Sequence, residues 1–399
     1  MTRRTPPLVW AVNASRATLA RLLVLLAVAT GLQAAEPGRK QSQIKGLLVV
    51  QLDNGEVAGT ASQMNATVVP EKVGTFSIRF NQQVGEMMEA ATREVEKFMR
   101  VRHGNKLPLG HRVELAFSDK YSPKDGPSAA LVSALLTDSI ITGEAIDPGF
   151  AATGDMTAAG EVRPVGGVPG KVRGAVKKNC SIIGIPAPNK NTIEDLYIID
   201  GIQRLYEIQI FSIATFDEAH ALAVANRGAE LQKAIDDFAR VQVALKKRPN
   251  YVTNGKVLGT LKGIVKTAPN HLSARLLFLH GVKKGPKNLS LPGSLTAIDK
   301  AAARFARLLI DGSFMDTGRD DVLLDFLNEM KRLRPMLDKR TRAFSDTYDE
   351  LANYVKTVRG RKILNTQIRR ELRKKSRRVD NARQKLLDNK EIREELMLD

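Results

Sequence analysis

A segment that is apolar nearly all round a helix leaves a chain few ways to fold. Such a segment runs from Ala129 to Ile141, through Leu131, Val132, Leu135, Leu136 and Ile140. A helix of this composition has no solvent face, so other layers must cover it. It is preceded by Pro123-Lys124-Asp125-Gly126-Pro127-Ser128. Gly126 permits a sharp turn, and Pro127 fits the first turn of a helix without losing a hydrogen bond. Ser128 therefore stands at the start of a buried helix, where free backbone N–H groups point outward. On composition alone it reads as an N-cap, a position that serine favours.

A second run, Gly166-Gly167-Val168-Pro169-Gly170-Lys171, places a lysine 43 residues after that serine. A lysine opening an amphipathic helix ordinarily faces solvent. The pair is nevertheless the parts list of a Ser-Lys hydrolase. A serine hydroxyl is a poor nucleophile until a base takes its proton, and a neutral amine is such a base. To be neutral near pH 7 the lysine pKa must fall by about 3 from about 10.4, at about 4 kcal/mol. Burial among apolar neighbours supplies that, and Val165, Val168 and Val172 flank Lys171. The string is not a phosphate-binding loop. Val165 stands where the first glycine is needed, and Val172 where Ser or Thr would meet magnesium.

These two runs resemble the proteolytic domain of Lon protease, which carries its nucleophile in P-K-D-G-P-S-A and its lysine in G-G-x-x-x-K at the same separation. The resemblance spans roughly Gln43 to Arg227, including Gly85-Glu86 before the first long helix and Ile182 to Pro188 after the lysine. It implies an α/β (α+β) Lon-protease-like catalytic domain with Ser128 as nucleophile and Lys171 as base. Thr153-Gly154-Asp155 matches the family's T-G-E segment, so Thr153 is expected to hydrogen-bond and orient Lys171. The N–H groups of Ser128 and of Asp125 or Gly126 are expected to hold an oxyanion. Asp125 is read as shaping the turn, not as a triad acid. Three departures stand out. Ala130 replaces the glycine after S-A, Val168-Pro169-Gly170 replaces a polar turn, and no ATPase domain or G-x-x-x-x-G-K-[ST] motif accompanies the domain. Asp155 in place of glutamate shortens a carboxylate.

The pattern from Ile44 to about Arg227 is mixed α/β, with strands at Leu47–Val50, Thr67–Val69, Phe76–Phe80, Val113–Phe117, Ser181–Pro186 and Ile208–Phe211, two short strands around Ala158 to Gly160, and a helix at Val84–Met99 with a period of 3.6. A helix carries Lys171 and Val176, and another spans about Phe216 to Ala225. Strand signals then vanish. Residues 228–399 read as an all-α domain of helical hairpins, broken at Pro249-Asn250 and Pro269-Asn270, with a Gly/Pro/Lys loop at Lys283–Pro292. The two breaks are 20 residues apart, not the 34 of a tetratricopeptide repeat, so the likeness to that family is weak. Two or three domains suit 399 residues, and with 43% hydrophobic but only 5% aromatic residues the cores should be aliphatic.

The chain carries a formal net charge of +19. Such a balance suits nucleic acid, an anionic surface or acidic partners, with a solvated basic surface as the plainer reading. The run Arg369 to Arg378 has no interleaved aromatics for base stacking, which favours a solvated helix. Residues 1–35 combine four arginines, an apolar run from Leu22 to Ala29 and a small-residue exit at Ala34-Ala35. That describes a signal peptide for a periplasmic or secreted protein, the alternative being a retained membrane anchor. Cys180 is the single cysteine, so no intrachain disulfide forms. His103 and His111, near the strand before Ser128, read as loop and strand-edge residues, and no sequence motif marks a metal or cofactor site.

The expectation is an exported, ATP-independent serine endopeptidase acting on unfolded or flexible protein segments that dock as an added strand at an exposed sheet edge. Family members form six-membered rings, which makes a homo-oligomer one option. The rival readings are a non-catalytic module binding nucleic acid, and a scaffold whose helical domain holds a protein partner.

Overall fold

The computed structural model describes residues 36–51, 57–119, 125–316, 320–361 and 365–396. The arginine-rich N-terminal segment, with Pro123 and Lys124, lies outside the described residues. The chain forms a mixed α/β region followed by a helical one, as the pattern implies.

A seven-stranded sheet has the order β3-β4-β2-β1-β5-β8-β9. Its strands are β1 (Gln41–Gln51), β2 (Val57–Pro70), β3 (Phe76–Phe80), β4 (His111–Phe117), β5 (Phe150–Ala152), β8 (Ile182–Pro186) and β9 (Gln209–Ile213). β1 and β2 form a long antiparallel hairpin, from Gln41 opposite Thr67 to Gln51 opposite Val57. The strands on the β5 side run parallel, β1 to β5 to β8 to β9. β8 is buried along its whole length, as befits a parallel strand covered on both faces. A small hairpin of β6 (Asp155–Met156) and β7 (Val162–Arg163) stands apart from the sheet.

Helix α1 (Glu86–His103) buries Met88, Ala91, Val95, Phe98 and Met99, the stripe its 3.6 period sets out. Helix α2 (Ala130–Thr142) buries its residues from Ala130 through Ile141. Ser128 itself lies in a short 3₁₀ turn, Pro127–Ala129, that leads into α2. Helix α3 (Val168–Lys177) carries Lys171. Two helices that the strand-and-loop reading passed over, α4 (Lys190–Asp200) and α5 (Gln203–Glu207), link β8 to β9, and α6 (Phe216–Ala223) follows β9.

Beyond residue 227 come α7 (Ala229–Lys247), α8 (Gly255–Thr267) and α9 (Leu272–Gly281). The hydrophobic cluster of the sheet continues without a break into these helices, from Ile44 to Leu277. The Pro269-Asn270 interruption explains how. Ser212 N–H donates to the Asn270 carbonyl at 2.9 Å, Asn270 Nδ2 donates to the Ser212 carbonyl at 3.1 Å, and Ile210 N–H donates to Ser273 Oγ at 3.0 Å. The break between two helices thereby covers the outer edge of β9. At the opposite edge, Phe76 O accepts from Arg100 and Ile78 N–H donates to Glu96, both on α1. Both outer strands of the sheet therefore have backbone groups already engaged, which leaves less free edge for an added strand than the sequence suggests.

A second cluster, from Leu289 to Ile392, is built from α10 (Leu291–Ile310), α11 (Asp320–Leu333), α12 (Arg342–Val358), α13 (Thr366–Leu387) and α14 (Lys390–Leu396). Helix α10 starts at Leu291, inside the end of the stretch Lys283–Pro292 that the sequence reads as a loop. Pro292 falls in the first turn, where proline is tolerated, and Ser290 Oγ accepts from Gly293 N–H at 3.0 Å. The two clusters meet at α4. Asp195 accepts from Ser290 N–H at 2.7 Å and Ser290 Oγ at 2.6 Å, while Ile198 and Ile199 pack against the second cluster. Among the described residues no helix is long and apolar enough to cross a membrane.

His271 sits at the junction of β9 and α9, fully buried between the rings of Phe211 and Phe238. One ring nitrogen caps α9 by accepting from Ala274 N–H, and the other faces Gln209 Oε1 at 3.2 Å. Burial pushes its pKa down to about 3. The unfolded imidazole takes a proton near pH 6.5, whereas the folded one does not until about pH 3. The native state thus binds fewer protons in that window, and its stability falls as pH drops below 6.5 by about 1.4 kcal/mol per pH unit. Denaturant unfolding from pH 7 to pH 4 should show this slope, and His271→Gln should flatten it.

Candidate active site

The site is assembled where the turn before α2, the end of β5 and the start of α3 converge. Gly126 adopts φ +99°, a conformation open to glycine and strained for other residues. The Asp125 carboxylate accepts from Gly126 N–H at 2.7 Å and from Met88 N–H at 3.2 Å. It therefore caps α1 from another segment, because Gly85, at the N-cap, has no side chain to do so. A Cβ on Gly85 would lie 2.0 Å from Asp125 Cγ, so glycine is required there. One carboxylate thus fixes the turn that carries Ser128 against the first turn of α1.

Thr153 follows β5 and is fully buried. Its Oγ1 donates to the Ser128 carbonyl at 3.2 Å, and Gly154 N–H donates to the same oxygen at 3.0 Å. Leu131 N–H returns a bond to the Gly154 carbonyl at 3.1 Å. The Thr153-Gly154 segment lies so close to α2 that a Cβ on Gly154 would meet Val162 at 2.9 Å and Leu131 at 3.2 Å. The Lys171 ammonium donates to Thr153 Oγ1 at 2.9 Å. The threonine hydroxyl therefore receives from Lys171 and donates to the backbone of Ser128, joining the two runs through a single side chain.

Lys171 is 2% exposed, an unusual depth for a lysine with no carboxylate partner among the described residues. The depth comes from backbone contact between α3 and β2. A Cβ on Gly59 of β2 would lie 2.0 Å from the Gly170 carbonyl carbon, and one on Gly174 would lie 2.4 Å from the Gly59 carbonyl oxygen. Gly59 and Gly174 let the helix rest directly on the strand, with Val168 and Val172 buried beside the lysine. Burial lowers the Lys171 pKa to about 8, so about a tenth of the amine is neutral at pH 7.

The other sequence candidates lie elsewhere. Asp155, at the start of β6, accepts from Met156 N–H at 2.8 Å and faces Arg163 across the hairpin. Burial raises its carboxyl above the usual range, against the Met156 N–H and the Arg163 charge. His103 is the last residue of α1, not part of a loop, and its Nε2 meets Asp138 Oδ1 at 3.0 Å. His111 opens β4. A groove of about 690 Å³ between β1, β2, β4 and the segment Ala145–Pro148 includes neither Ser128 nor Lys171.

The family model for the Lon protease (S16) C-terminal proteolytic domain matches residues 28–225, a span that holds every residue of this constellation. These residues belong to the Lon protease family. The chain is 26% identical over 233 residues to an archaeal Lon protease from Thermoplasma volcanium, covering 58% of this chain and 33% of that protein. It is 26% identical over 208 residues to Lon protease from Escherichia coli, covering 51% and 26%, and 34% identical over 161 residues to the human mitochondrial Lon protease homolog, covering 37% and 17%. The matched region thus spans a third or less of each of these relatives. Gly170, one of the departures from the Lon pattern, lies beside Gly59 in ordinary van der Waals range. The glycines Gly59 and Gly174 escaped the sequence reading because each is required by a partner distant in the chain.

A buried ammonium disfavours folding below its unfolded pKa of 10.5, and the cost is full below about pH 8. Lys171→Met should therefore stabilise the protein at pH 7, by up to about 3 kcal/mol. The advantage should shrink as pH rises from 8 towards 10.5, where the native amine no longer gives up a proton that the unfolded one keeps. Unfolding curves at pH 7 and pH 10 check both the sign and the convergence.

Proposed function

We propose that the chain is a serine endopeptidase in which Ser128 is the nucleophile and Lys171 the general base, with Thr153 orienting the amine. The observation that carries this reading is Lys171 itself, buried with no counter-charge among the described residues, lowered to about pKa 8 and bonded to a hydroxyl that also holds Ser128. Membership of residues 28–225 in the family of a proteolytic domain supports the same reaction class.

In the first half-reaction Ser128 Oγ attacks the peptide carbonyl carbon while Lys171 Nζ takes the hydroxyl proton. The tetrahedral intermediate collapses, the C–N bond breaks, and Lys171 returns the proton to the departing amine. Water then attacks the acyl ester, giving its proton to Lys171, and the carboxylate product leaves as Ser128 regains a proton. Gly126 N–H is already engaged by Asp125, which favours the Ser128 N–H over that of Gly126 as an oxyanion donor. Asp125 and Gly126 act by holding the turn.

The finer reading is that substrates are unfolded or flexible protein segments, that cleavage needs no ATP, and that the protein works in the periplasm or outside the cell. The absence of a phosphate-binding loop motif from this sequence supports the second point, and the arginine-apolar-alanine pattern of residues 1–35 the third. A second reading, a module binding nucleic acid or another anionic surface, draws on α13. There Arg369, Arg370, Arg373, Lys374 and Arg377 make no ion pair among the described residues, whereas Arg378 and Lys375 meet Glu350 and Arg383 meets Asp299.

Ser128→Ala should abolish cleavage of an unstructured protein and labelling by a serine-directed acylating probe, with the fold retained. Lys171→Arg should be as inactive as Lys171→Ala, because arginine stays protonated. Turnover of the native protein should rise with pH through about 8, as the amine deprotonates, and should be the same with and without ATP and magnesium. Unchanged cleavage by Ser128→Ala rejects the mechanism. Absence of labelling together with salt-dependent DNA binding would favour the second reading.

N-terminal sequencing of protein from the periplasmic or medium fraction should find a start within a few residues of Ala35. Recovery of soluble protein retaining residues 1–35 from the cytoplasm would reject export.

A further inference from the structure

Helix α2 is apolar nearly all round, yet Asp138 lies within it and is 1% exposed. A buried carboxylate must be paired or coordinated. One oxygen is well provided for. Asp138 Oδ1 accepts from Arg102 Nε at 3.0 Å and faces His103 Nε2 at 3.0 Å, and Arg102 is balanced in turn by Asp217 at 2.6 Å. The other oxygen is not. Among the described residues Asp138 Oδ2 has only a charged contact with His220 and no well-aligned hydrogen bond.

That oxygen points to His220 on α6 and to Glu144 in the turn after α2. His220 Nε2 lies 3.2 Å from Asp138 Oδ2 and 2.9 Å from Glu144 Oε2. One imidazole nitrogen carries at most one proton, so it satisfies only one of two carboxylates. The bond goes to Glu144 and Asp138 Oδ2 is left over. The three donor atoms lie within 4.8 Å of one another.

We propose that Asp138, Glu144 and His220 form a binding site for a divalent transition cation of the zinc class. A cation receives one lone pair from each of the three donors, which a single proton cannot do. The two carboxylates bring two negative charges, with Arg102 already neutralised by Asp217 and Arg39 reaching only the Glu144 backbone carbonyl at 3.4 Å. An imidazole among the donors favours zinc over magnesium or calcium, which prefer oxygen throughout. Arg102 and His103 act as the outer shell that orients the Asp138 carboxylate. Entry is from the side of Glu144, whose side chain is 53% exposed, and water completes the coordination there.

The site would join the C-terminal end of α2 to α6, about 15 Å along the helix from Ser128 at ten residues of 1.5 Å each. It is therefore a structural clasp on the helix that follows the serine turn, and it does not depend on the peptidase reading.

The test uses untagged full-length protein stripped with a chelator. Cobalt(II) titration followed by visible absorption, then zinc competition, reads stoichiometry and affinity. One equivalent should bind in a low-symmetry site that zinc displaces, and zinc should raise the thermal midpoint. Asp138 is too deeply buried for a clean variant, so the two accessible ligands are changed. Glu144→Gln and His220→Gln should each weaken zinc by at least about tenfold and lose the thermal shift. His111→Gln should bind as the native protein does. Absence of stoichiometric binding, or native affinity in either ligand variant, overturns the proposal.

Discussion

The backbone of α3 touches the backbone of β2, and that contact sets the depth of Lys171. Gly59 and Gly174 lack the Cβ that would lie 2.0 to 2.4 Å from the facing backbone, so the helix comes up against the strand. A side chain at Gly59 or Gly174 would force the helix away and raise the lysine towards solvent. An amine near water keeps its ordinary pKa, whereas the one sunk between Val168 and Val172 falls to about 8. The electrostatics of the site therefore rest on a steric fact about glycine.

Around that contact the site is tied together by groups that each serve two neighbours. Thr153 Oγ1 receives from Lys171 and donates to the Ser128 carbonyl. Asp125 holds Gly126 in its positive-φ turn and caps α1. Such shared groups resist separate movement, because displacing one element leaves a buried donor or acceptor unpaired, at about 1–3 kcal/mol. The serine turn is thereby fixed on one side by α1 and on the other by the segment after β5.

The helices beyond residue 227 belong to the same physical argument. Asn270 and Ser273 complete the outer edge of β9, and His271 packs between two phenylalanine rings beneath it. An uncovered edge strand invites pairing with another chain. These helices cover it and share the core of the sheet, while α10 to α14 form a second core joined to the first through Asp195 and Ser290.

Local signals carried much of this arrangement. The Gly-Pro-Ser turn, the all-apolar helix behind it, the Gly-Gly run before Lys171 and the period of α1 are statements about neighbouring residues, and the sequence by itself determined them. It also marked Thr153 as the partner of Lys171, through resemblance to a family. What the sequence left open depends on residues far apart in the chain. Pro292 looked like a break until Ser290 was seen to cap the helix it opens. Gly59 and Gly174 carry no local signal, since each is glycine only because another segment lies against it. Asp138 drew no notice in the apolar helix, and its company of His220, Glu144, Arg102 and His103 comes from three separate segments. Backbone propensity is set by adjacent residues, whereas burial, close approach and shared hydrogen bonds arise only when the chain has closed on itself, and those the tertiary structure decided.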